Sequence, residues 1–144
     1  MPAVAALDHR CSILVIDDDA ETRTLLRVAL MADGYHVATA SNGRDALDHL
    51  RSHVQTCVLL LDLMLPVMDG LHFRTAQLHD RSLAWIPVVV MSGAVDGDQQ
   101  ARDLGAVRVL RKPLNLDEVR RVLQDIACCQ MQPRRKVRGA APLN

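Results

Sequence analysis

The chain has 144 residues, with 17 basic and 17 acidic side chains and no formal net charge. This length predicts one domain with a buried core. Residues 1–129 carry a net charge of −4, which does not point to nucleic acid as a partner, and no apolar run approaches the roughly 20 residues that span a membrane.

The two ends of the chain are predicted to lie outside the fold, which is assigned to residues 11–129. Residues 1–10 are expected to be a flexible N-terminus, too short and too weakly apolar for a signal peptide. Residues 130–144 combine prolines, a glycine and a basic cluster, which predicts a disordered tail or the start of a linker. The four cysteines show no metal-ligand spacing, so we expect reduced thiols and a cytoplasmic location, with Cys57 in the core.

Five short apolar runs alternate with helical segments along the domain. The predicted strands are Ser12–Ile16, His36–Ala40, the run beginning near Val58, Pro87–Met91 and Val107–Leu110. The predicted helices are Ala20–Ala32, Arg44–Leu50, Leu71–Leu78, Gln99–Leu104 and a last helix that follows Asn115. Regular alternation of this kind predicts an α/β fold, a (βα)5 doubly wound parallel sheet with helices on both faces.

The first and last helices have the clearest sequence signals. Asp19 can cap the first helix, and Asp33–Gly34 can end it. Its predicted apolar face consists of Leu25, Leu26, Ala29 and Leu30. Asn115 can cap the last helix, with Glu118 at the reciprocal capping position. The predicted apolar face of that helix consists of Leu116, Val119, Leu123, Ile126 and Ala127.

Polar side chains stand where four of the predicted strands end. These residues are Asp17 and Asp18 after the first strand, Asp62 after the third, Ser92 after the fourth and Lys112 after the fifth. Ligands of parallel sheets bind beyond the carboxyl ends of the strands, so we expect these groups to share one pocket. Two carboxylates about 4 Å apart repel by ~4 kcal/mol at an effective dielectric of about 20, so three of them call for a divalent cation.

The chemistry of this set favours magnesium and a phosphoryl group. Oxygen ligands without histidine or cysteine favour Mg²⁺. Lys112 adds a charge that binds anions, Ser92 adds a hydrogen-bond donor, and Asp62 is placed to act as the nucleophile. A single aspartate after a strand is more often a helix cap, as we expect for Asp19, but caps do not explain polar groups at four strand ends together.

Five segments carry a resemblance to a known family. They are ILVIDDD at 13–19, LLLDLMLPVMDG at 59–70, VVVMSGA at 88–94, Gly105–Ala106 and RKPL at 111–114. Over residues 11–129 the chain resembles the receiver domain of two-component response regulators. The resemblance implies a flavodoxin-like strand order of 2-1-3-4-5.

The resemblance also implies a role for each strand-end residue. Asp62 resembles the phospho-acceptor, Ser92 the hydroxyl that contacts the phosphoryl group, and Lys112 the lysine that pairs with the phosphoryl group. The resemblance also implies that the Lys112–Pro113 peptide is cis. The metal ligands implied are Asp17, Asp18, Asp62 and the backbone carbonyl of Met64. The expected cofactor is therefore Mg²⁺.

The function implied is signalling. A sensor histidine kinase or a phosphotransfer protein would donate the phosphoryl group from a phosphohistidine, and the domain would respond by changing conformation. Such a domain is not an enzyme in the ordinary sense, because it catalyses only its own phosphorylation and dephosphorylation. The resemblance also allows a homodimer through the face formed by the fourth helix, the fifth strand and the fifth helix.

Three positions depart from the family pattern. Val109 stands where receivers usually carry an aromatic residue, and the fourth helix is expected to be short. Met64 and Ala94 are apolar at positions that influence attack by water, so we expect slow loss of the phosphoryl group.

Two other functions are compatible with parts of the sequence. The alternative is a degenerate receiver that acts as a phosphorylation-independent interaction module, which Val109 favours and the intact acid set opposes. A haloacid-dehalogenase-type phosphohydrolase needs a second aspartate where Met64 stands. The sequence leaves open whether the chain acts alone or regulates a longer protein.

Overall fold

The computed structural model describes residues 12–52, 56–65, 67–93 and 96–126. The expectations for residues 1–10 and 130–144, and those for Ala94 and Ala127, lie outside the described residues. Within the described ranges, no helix is both long enough and apolar enough to cross a membrane.

Strands and helices alternate throughout the described ranges, as predicted. The strands are β1 at Ser12–Ile16, β2 at His36–Ala40, β3 at Thr56–Asp62, β4 at Val88–Ser92 and β5 at Arg108–Arg111. The helices are α1 at Ala20–Ala32, α2 at Gly43–Ser52, α3 at Gly70–Leu78, α4 at Gly97–Asp103 and α5 at residues 116–126. The predicted bounds of β1, α1 and β2 are confirmed, and the fourth helix is short, at seven residues.

The five strands form one parallel sheet in the order β2-β1-β3-β4-β5. This confirms the flavodoxin-like order and the doubly wound α/β class. All seven residues of β3 are buried, because the strand lies at the centre of the sheet with helices over both faces. Burial on both faces explains why its sequence is a continuous apolar run rather than an alternating one.

Side chains on the two faces of the sheet form two apolar clusters. The α2–α4 cluster lies on one face and includes Leu47 from α2, Phe73 from α3 and Ala101 from α4. The α1/α5 cluster lies on the other face and includes Leu26 from α1 and Leu123 from α5. The chain has three aromatic residues, and among the described residues Phe73 is the aromatic side chain that is fully buried in the core.

The predicted apolar face of α1 is correct except at Leu25. Leu26 and Leu30 are fully buried against the sheet and Ala29 is half-buried, but Leu25 is 47% exposed. Successive residues of a helix are rotated by about 100°, so a helix that centres Leu26 on the sheet turns Leu25 toward its side.

The structure confirms Asp19 and Asn115 as N-caps, while the reciprocal contact of the Glu118 side chain stays a prediction. Asp19 caps α1 by accepting a hydrogen bond from the Glu21 N–H at 3.3 Å. Gly34 ends the turn after α1 with φ of 102°, a left-handed conformation that glycine adopts without strain. Asn115 caps α5 by accepting from the Glu118 N–H at 3.1 Å.

Two buried polar side chains of α3 were not anticipated from the sequence. The Arg74 guanidinium donates to the Leu104 carbonyl at the end of α4 and to the Gln77 side chain, both at 2.8 Å. Gln77 in turn donates to the Leu83 and Ile86 carbonyls. Leu71 and Leu78 are exposed, so the buried face of α3 combines the apolar Phe73 with the paired side chains of Arg74 and Gln77.

Candidate functional site

The predicted site residues lie at one edge of the sheet, where the parallel strands end. Asp17 follows β1, Asp62 is the last residue of β3, Ser92 is the last residue of β4 and Lys112 follows β5. Asp17, Asp62 and Ser92 are buried, with exposed fractions of 0%, 6% and 5%. Asp18, the next residue along the chain, is exposed, so the pocket has a buried floor and an acidic rim.

Lys112 joins the ends of three strands. Its ammonium nitrogen donates to Asp17 Oδ2 at 2.7 Å and to Asp62 Oδ2 at 3.3 Å. The ammonium is partly buried, so these contacts are screened less than surface ion pairs. The Lys112–Pro113 peptide is cis, as the resemblance implied.

The backbone around β1 fixes the position of Asp17. Its Oδ1 accepts a hydrogen bond from the Asp19 N–H at 2.9 Å. The Arg23 guanidinium, one turn into α1, donates to the Asp17 carbonyl oxygen at 2.7 Å. Each acceptor atom of Asp17 therefore has a fixed partner, which holds the carboxylate toward Lys112.

The segment that follows β3 holds the Asp62 carboxylate in position. Its Oδ1 accepts from the Met64 N–H at 3.0 Å, so the peptide of Met64 lies beside the carboxylate. The Met64 side chain is 75% exposed, whereas Asp62 is buried. The structure gives the Met64 N–H this contact, and the Met64 carbonyl, which the resemblance implied as a metal ligand, stays a prediction.

The charges of the pocket do not balance. Burial raises the pKa of Asp62, and the nearby Asp17 carboxylate raises it further, against the Met64 hydrogen bond and Lys112, which lower it. Burial alone would lower the pKa of Lys112, but the hydrogen bonds and charges of Asp17 and Asp62 outweigh it, so the pKa lies above its ordinary value. Three carboxylates face one fixed cation, and the pocket retains negative charge.

The acidic residues fit a divalent cation. Asp17, Asp18 and Asp62 can each offer a carboxylate oxygen, and these oxygens lie within 4.8 Å of one another. All three donors are hard oxygen atoms, which suit Mg²⁺ better than zinc or copper. The residual negative charge gives a physical reason for a cation at this place.

Ser92 is the site residue whose side chain lies against the start of α4. Its side chain packs against Gly97, the first residue of α4, closely enough that a methyl group on Gly97 would lie 2.8 Å from the Ser92 Cβ. This contact could not be predicted, because nothing in the spacing of Ser92 and Gly97 indicates that the helix begins directly on the strand end. Arg23 was missed for a similar reason, since helical arginines are mostly solvated.

Comparisons with known proteins agree with this geometry. A family model described as the response regulator receiver domain matches residues 13–124. Sporulation initiation phosphotransferase F of Bacillus subtilis is 33% identical over 111 residues, covering 75% of this chain and 86% of that protein. Transcriptional regulatory protein KdpE of Staphylococcus aureus is 40% identical over 121 residues, covering 80% of this chain. The chain spans 50% of that regulator's length.

Solved structures show the same fold. The chemotaxis protein CheY4 of Vibrio cholerae superimposes with a TM-score of 0.74 at 27% identity, covering 81% of this chain and 98% of that one. A response regulator receiver protein from Pseudomonas putida, at 24% identity, matches in fold with a TM-score of 0.75 and covers 81% of this chain and 97% of that one. Because the family model spans most of the described sequence and the sheet has the matching strand order, the chain belongs to the response regulator receiver domain family.

Proposed function

We propose that Asp62 accepts a phosphoryl group from a phosphohistidine on a partner protein, in a reaction that depends on Mg²⁺. The observation that carries this proposal is the convergence of Asp17, Asp62 and Lys112 at one sheet edge, with contacts of 2.7 and 3.3 Å from a single ammonium group. A buried acid pair bridged by one lysine is costly unless it binds something.

The chemistry follows from the positions of these groups. A carboxylate oxygen of Asp62 forms a bond to phosphorus while the bond from phosphorus to the histidine nitrogen breaks, and that nitrogen keeps the electron pair. Lys112 lies where it can stabilise charge on the equatorial oxygens. Asp17, Asp18, Asp62 and the Met64 carbonyl would hold Mg²⁺, which when bound supplies positive charge that offsets both the acids and the phosphoryl oxygens.

The product is an aspartyl phosphate that adds about −1.5 to −2 charge to a buried edge of the sheet. We propose that Ser92 and Lys112 move toward it and so shift the domain between two conformations. The role is signalling, and the domain would catalyse only its own phosphorylation and dephosphorylation.

The partner proposed is a sensor histidine kinase or a phosphotransfer protein. The Bacillus subtilis relative is itself named a phosphotransferase, which supports a role in passing phosphoryl groups. The relative from Staphylococcus aureus is named a transcriptional regulator and is about twice as long as the matched segment, which supports regulation of an output domain. A homodimer through α4, β5 and α5 and a cytoplasmic location remain part of the proposal.

Labelling with acetyl phosphate tests the proposal. Intact mass should show one added phosphoryl group on the wild-type protein with Mg²⁺, and none with a chelator or with Asp62→Asn. Asp48→Asn is the matched control, because Asp48 is an exposed carboxylate on α2, and it should be labelled like the wild type. Labelling that persists in a folded Asp62→Asn variant would contradict the assignment of Asp62.

The second candidate is an interaction module that works without phosphorylation. Val109, half-buried on β5, favours it, because a small aliphatic side chain has few alternative positions with which to report a change at the strand ends. A folded wild-type protein that takes up no phosphoryl group under any of these conditions would support this candidate instead.

A further inference from the structure

Asp18 differs from the other two acids of the pocket in what its carboxylate contacts. Both oxygens of Asp17 and both oxygens of Asp62 accept hydrogen bonds, from the backbone and from Lys112. Asp18 is exposed, and within the described part of the chain no hydrogen bond to its carboxylate is found. Its two oxygens are therefore the ones that a cation can reach without competing with a hydrogen-bond donor.

The backbone on each side of Asp18 is held, although its side chain is not. The carbonyl of the preceding peptide group, which belongs to Asp17, accepts from the Arg23 guanidinium at 2.7 Å. The N–H of the following peptide group, which belongs to Asp19, donates to Asp17 Oδ1 at 2.9 Å. Because peptide groups are planar, fixing both of them fixes the two backbone dihedral angles of Asp18. The direction in which the Asp18 side chain leaves the backbone therefore depends on Arg23.

Arg23 contacts the same turn a second time through its own backbone. Its N–H donates to the Asp19 carbonyl at 3.1 Å, which is the hydrogen bond that begins α1. The guanidinium bond to the Asp17 carbonyl has a charged donor, so it is stronger than a bond between neutral groups. The turn that carries Asp18 is thus tied to the first turn of α1 at two points.

The charge of Arg23 is unfavourable at this place. The residue lies in the first turn of α1, where the positive end of the helix dipole disfavours cations. A cation beside the acid pocket also repels Mg²⁺. The group that the guanidinium contacts is a neutral carbonyl, so its loss would affect the backbone of the turn and the electrostatic field of the pocket in opposite senses.

We propose that Arg23 is a positioning residue for Mg²⁺, which acts by holding the backbone from which Asp18 reaches the ion. The inference rests on the proposed function of the acid pocket, because Mg²⁺ binding is part of both. Groups that orient metal ligands without touching the metal typically change its affinity by about 10- to 100-fold. The opposing repulsion is weaker, because the guanidinium is only half-buried and solvent screens its charge.

Titration of the full chain with magnesium chloride, followed by amide NMR, tests the proposal through the variant Arg23→Met. Methionine keeps an unbranched side chain that suits a helix, but it removes the charge and the hydrogen-bond donor. We expect Mg²⁺ to bind about 10-fold more weakly to the variant than to the wild type. Loss of the charge alone would tighten binding, so equal or tighter binding would overturn the inference.

Two further variants make this titration specific. Arg27→Met removes the same charge from an exposed position one turn further along α1, and it should bind Mg²⁺ within about 2-fold of the wild type. A loss there as large as in Arg23→Met would overturn the inference, because the contact with the Asp17 carbonyl would not be its cause. Arg23→Gln, whose polar side chain is too short to reach that carbonyl, should weaken binding as Arg23→Met does. Wild-type affinity in Arg23→Gln would also overturn the inference.

Hydrogen exchange separates this inference from the proposed function, because it needs no metal. In the metal-free protein the Asp19 N–H should exchange about 10-fold faster in Arg23→Met than in the wild type, while the buried amides of β3 keep their rates. Unchanged exchange at Asp19, or faster exchange throughout the domain, would overturn the positioning role alone. If the wild type binds no Mg²⁺, the proposed function fails and the inference fails with it.

Discussion

At the scale of single residues, the buried carboxylate of Asp62 lowers the stability of the folded protein when no cation is bound. It is buried beside Asp17 and shares one ammonium group with it. Its pKa is raised by burial and then by Asp17. A raised carboxyl pKa means that the folded state holds the proton more tightly than the unfolded state. The stability contributed by this group therefore falls as pH rises through the window from about 3.9 to the folded pKa.

Asp62→Asn should therefore stabilise the metal-free protein at neutral pH. We expect the free energy of unfolding to rise by about 1–2 kcal/mol, because repulsion of up to about 4 kcal/mol between close carboxylates is partly offset by Lys112. Urea denaturation with a chelator measures this change. The difference should shrink when Mg²⁺ is added, since the cation stabilises the wild type more than the variant.

Two results would contradict this account of Asp62. One is a loss of stability in Asp62→Asn without metal. The other is a stability difference that stays constant from neutral pH down to pH values below about 3.9, where the wild-type carboxyl is protonated in both states.

Met64 bears on how long the phosphoryl group stays. Its side chain is 75% exposed beside Asp62, and a thioether is a weak hydrogen-bond acceptor that does not orient an attacking water. We expect the wild-type aspartyl phosphate to persist well beyond seconds, and Met64→Gln to shorten its half-life by supplying an amide. Intact mass over time after removal of the donor measures both. A half-life of seconds in the wild type would contradict the prediction.

At the scale of elements, α4 is a short helix held by its neighbours. The Arg74 guanidinium of α3 donates hydrogen bonds to two carbonyl oxygens at the C-terminal end of α4. These are the oxygen of Leu104, at 2.8 Å, and the oxygen of Gly105, at 3.4 Å. Burial lowers the pKa of the Arg74 guanidinium, but an arginine stays charged at any physiological pH. A cation at the C-terminal end of a helix also complements the helix dipole.

Arg74→Ala should therefore loosen α4 specifically. The change leaves the Leu104 carbonyl and the Gln77 side chain without a buried donor, which costs about 2–4 kcal/mol. Hydrogen exchange should show faster exchange of the α4 amides, with smaller effects in β1. Arg102→Ala, an exposed arginine on α4, is the control and should change the free energy of unfolding by less than about 0.5 kcal/mol. Equal effects of the two variants would contradict the role of Arg74.

At the scale of the whole molecule, the sheet and the acid pocket could be predicted and the packing between helices could not. Apolar runs ending in polar residues indicated four of the five strands, and parallel strands bring their carboxyl ends to one edge. From the sequence alone, that rule predicted that Asp17, Asp62 and Lys112 lie close together. Leu25, Arg74 and Gly97 depend on helix rotation and on contacts between distant segments, and local spacing does not encode these.

The site of phosphorylation tests the central claim most directly. After labelling with acetyl phosphate and Mg²⁺, borohydride reduces an aspartyl phosphate to homoserine, and peptide mass sequencing then locates the modified residue. The account predicts homoserine at position 62 in the wild-type protein and at no other aspartate. Homoserine at position 17 or 18, or none anywhere in a protein that is folded and saturated with Mg²⁺, would contradict it.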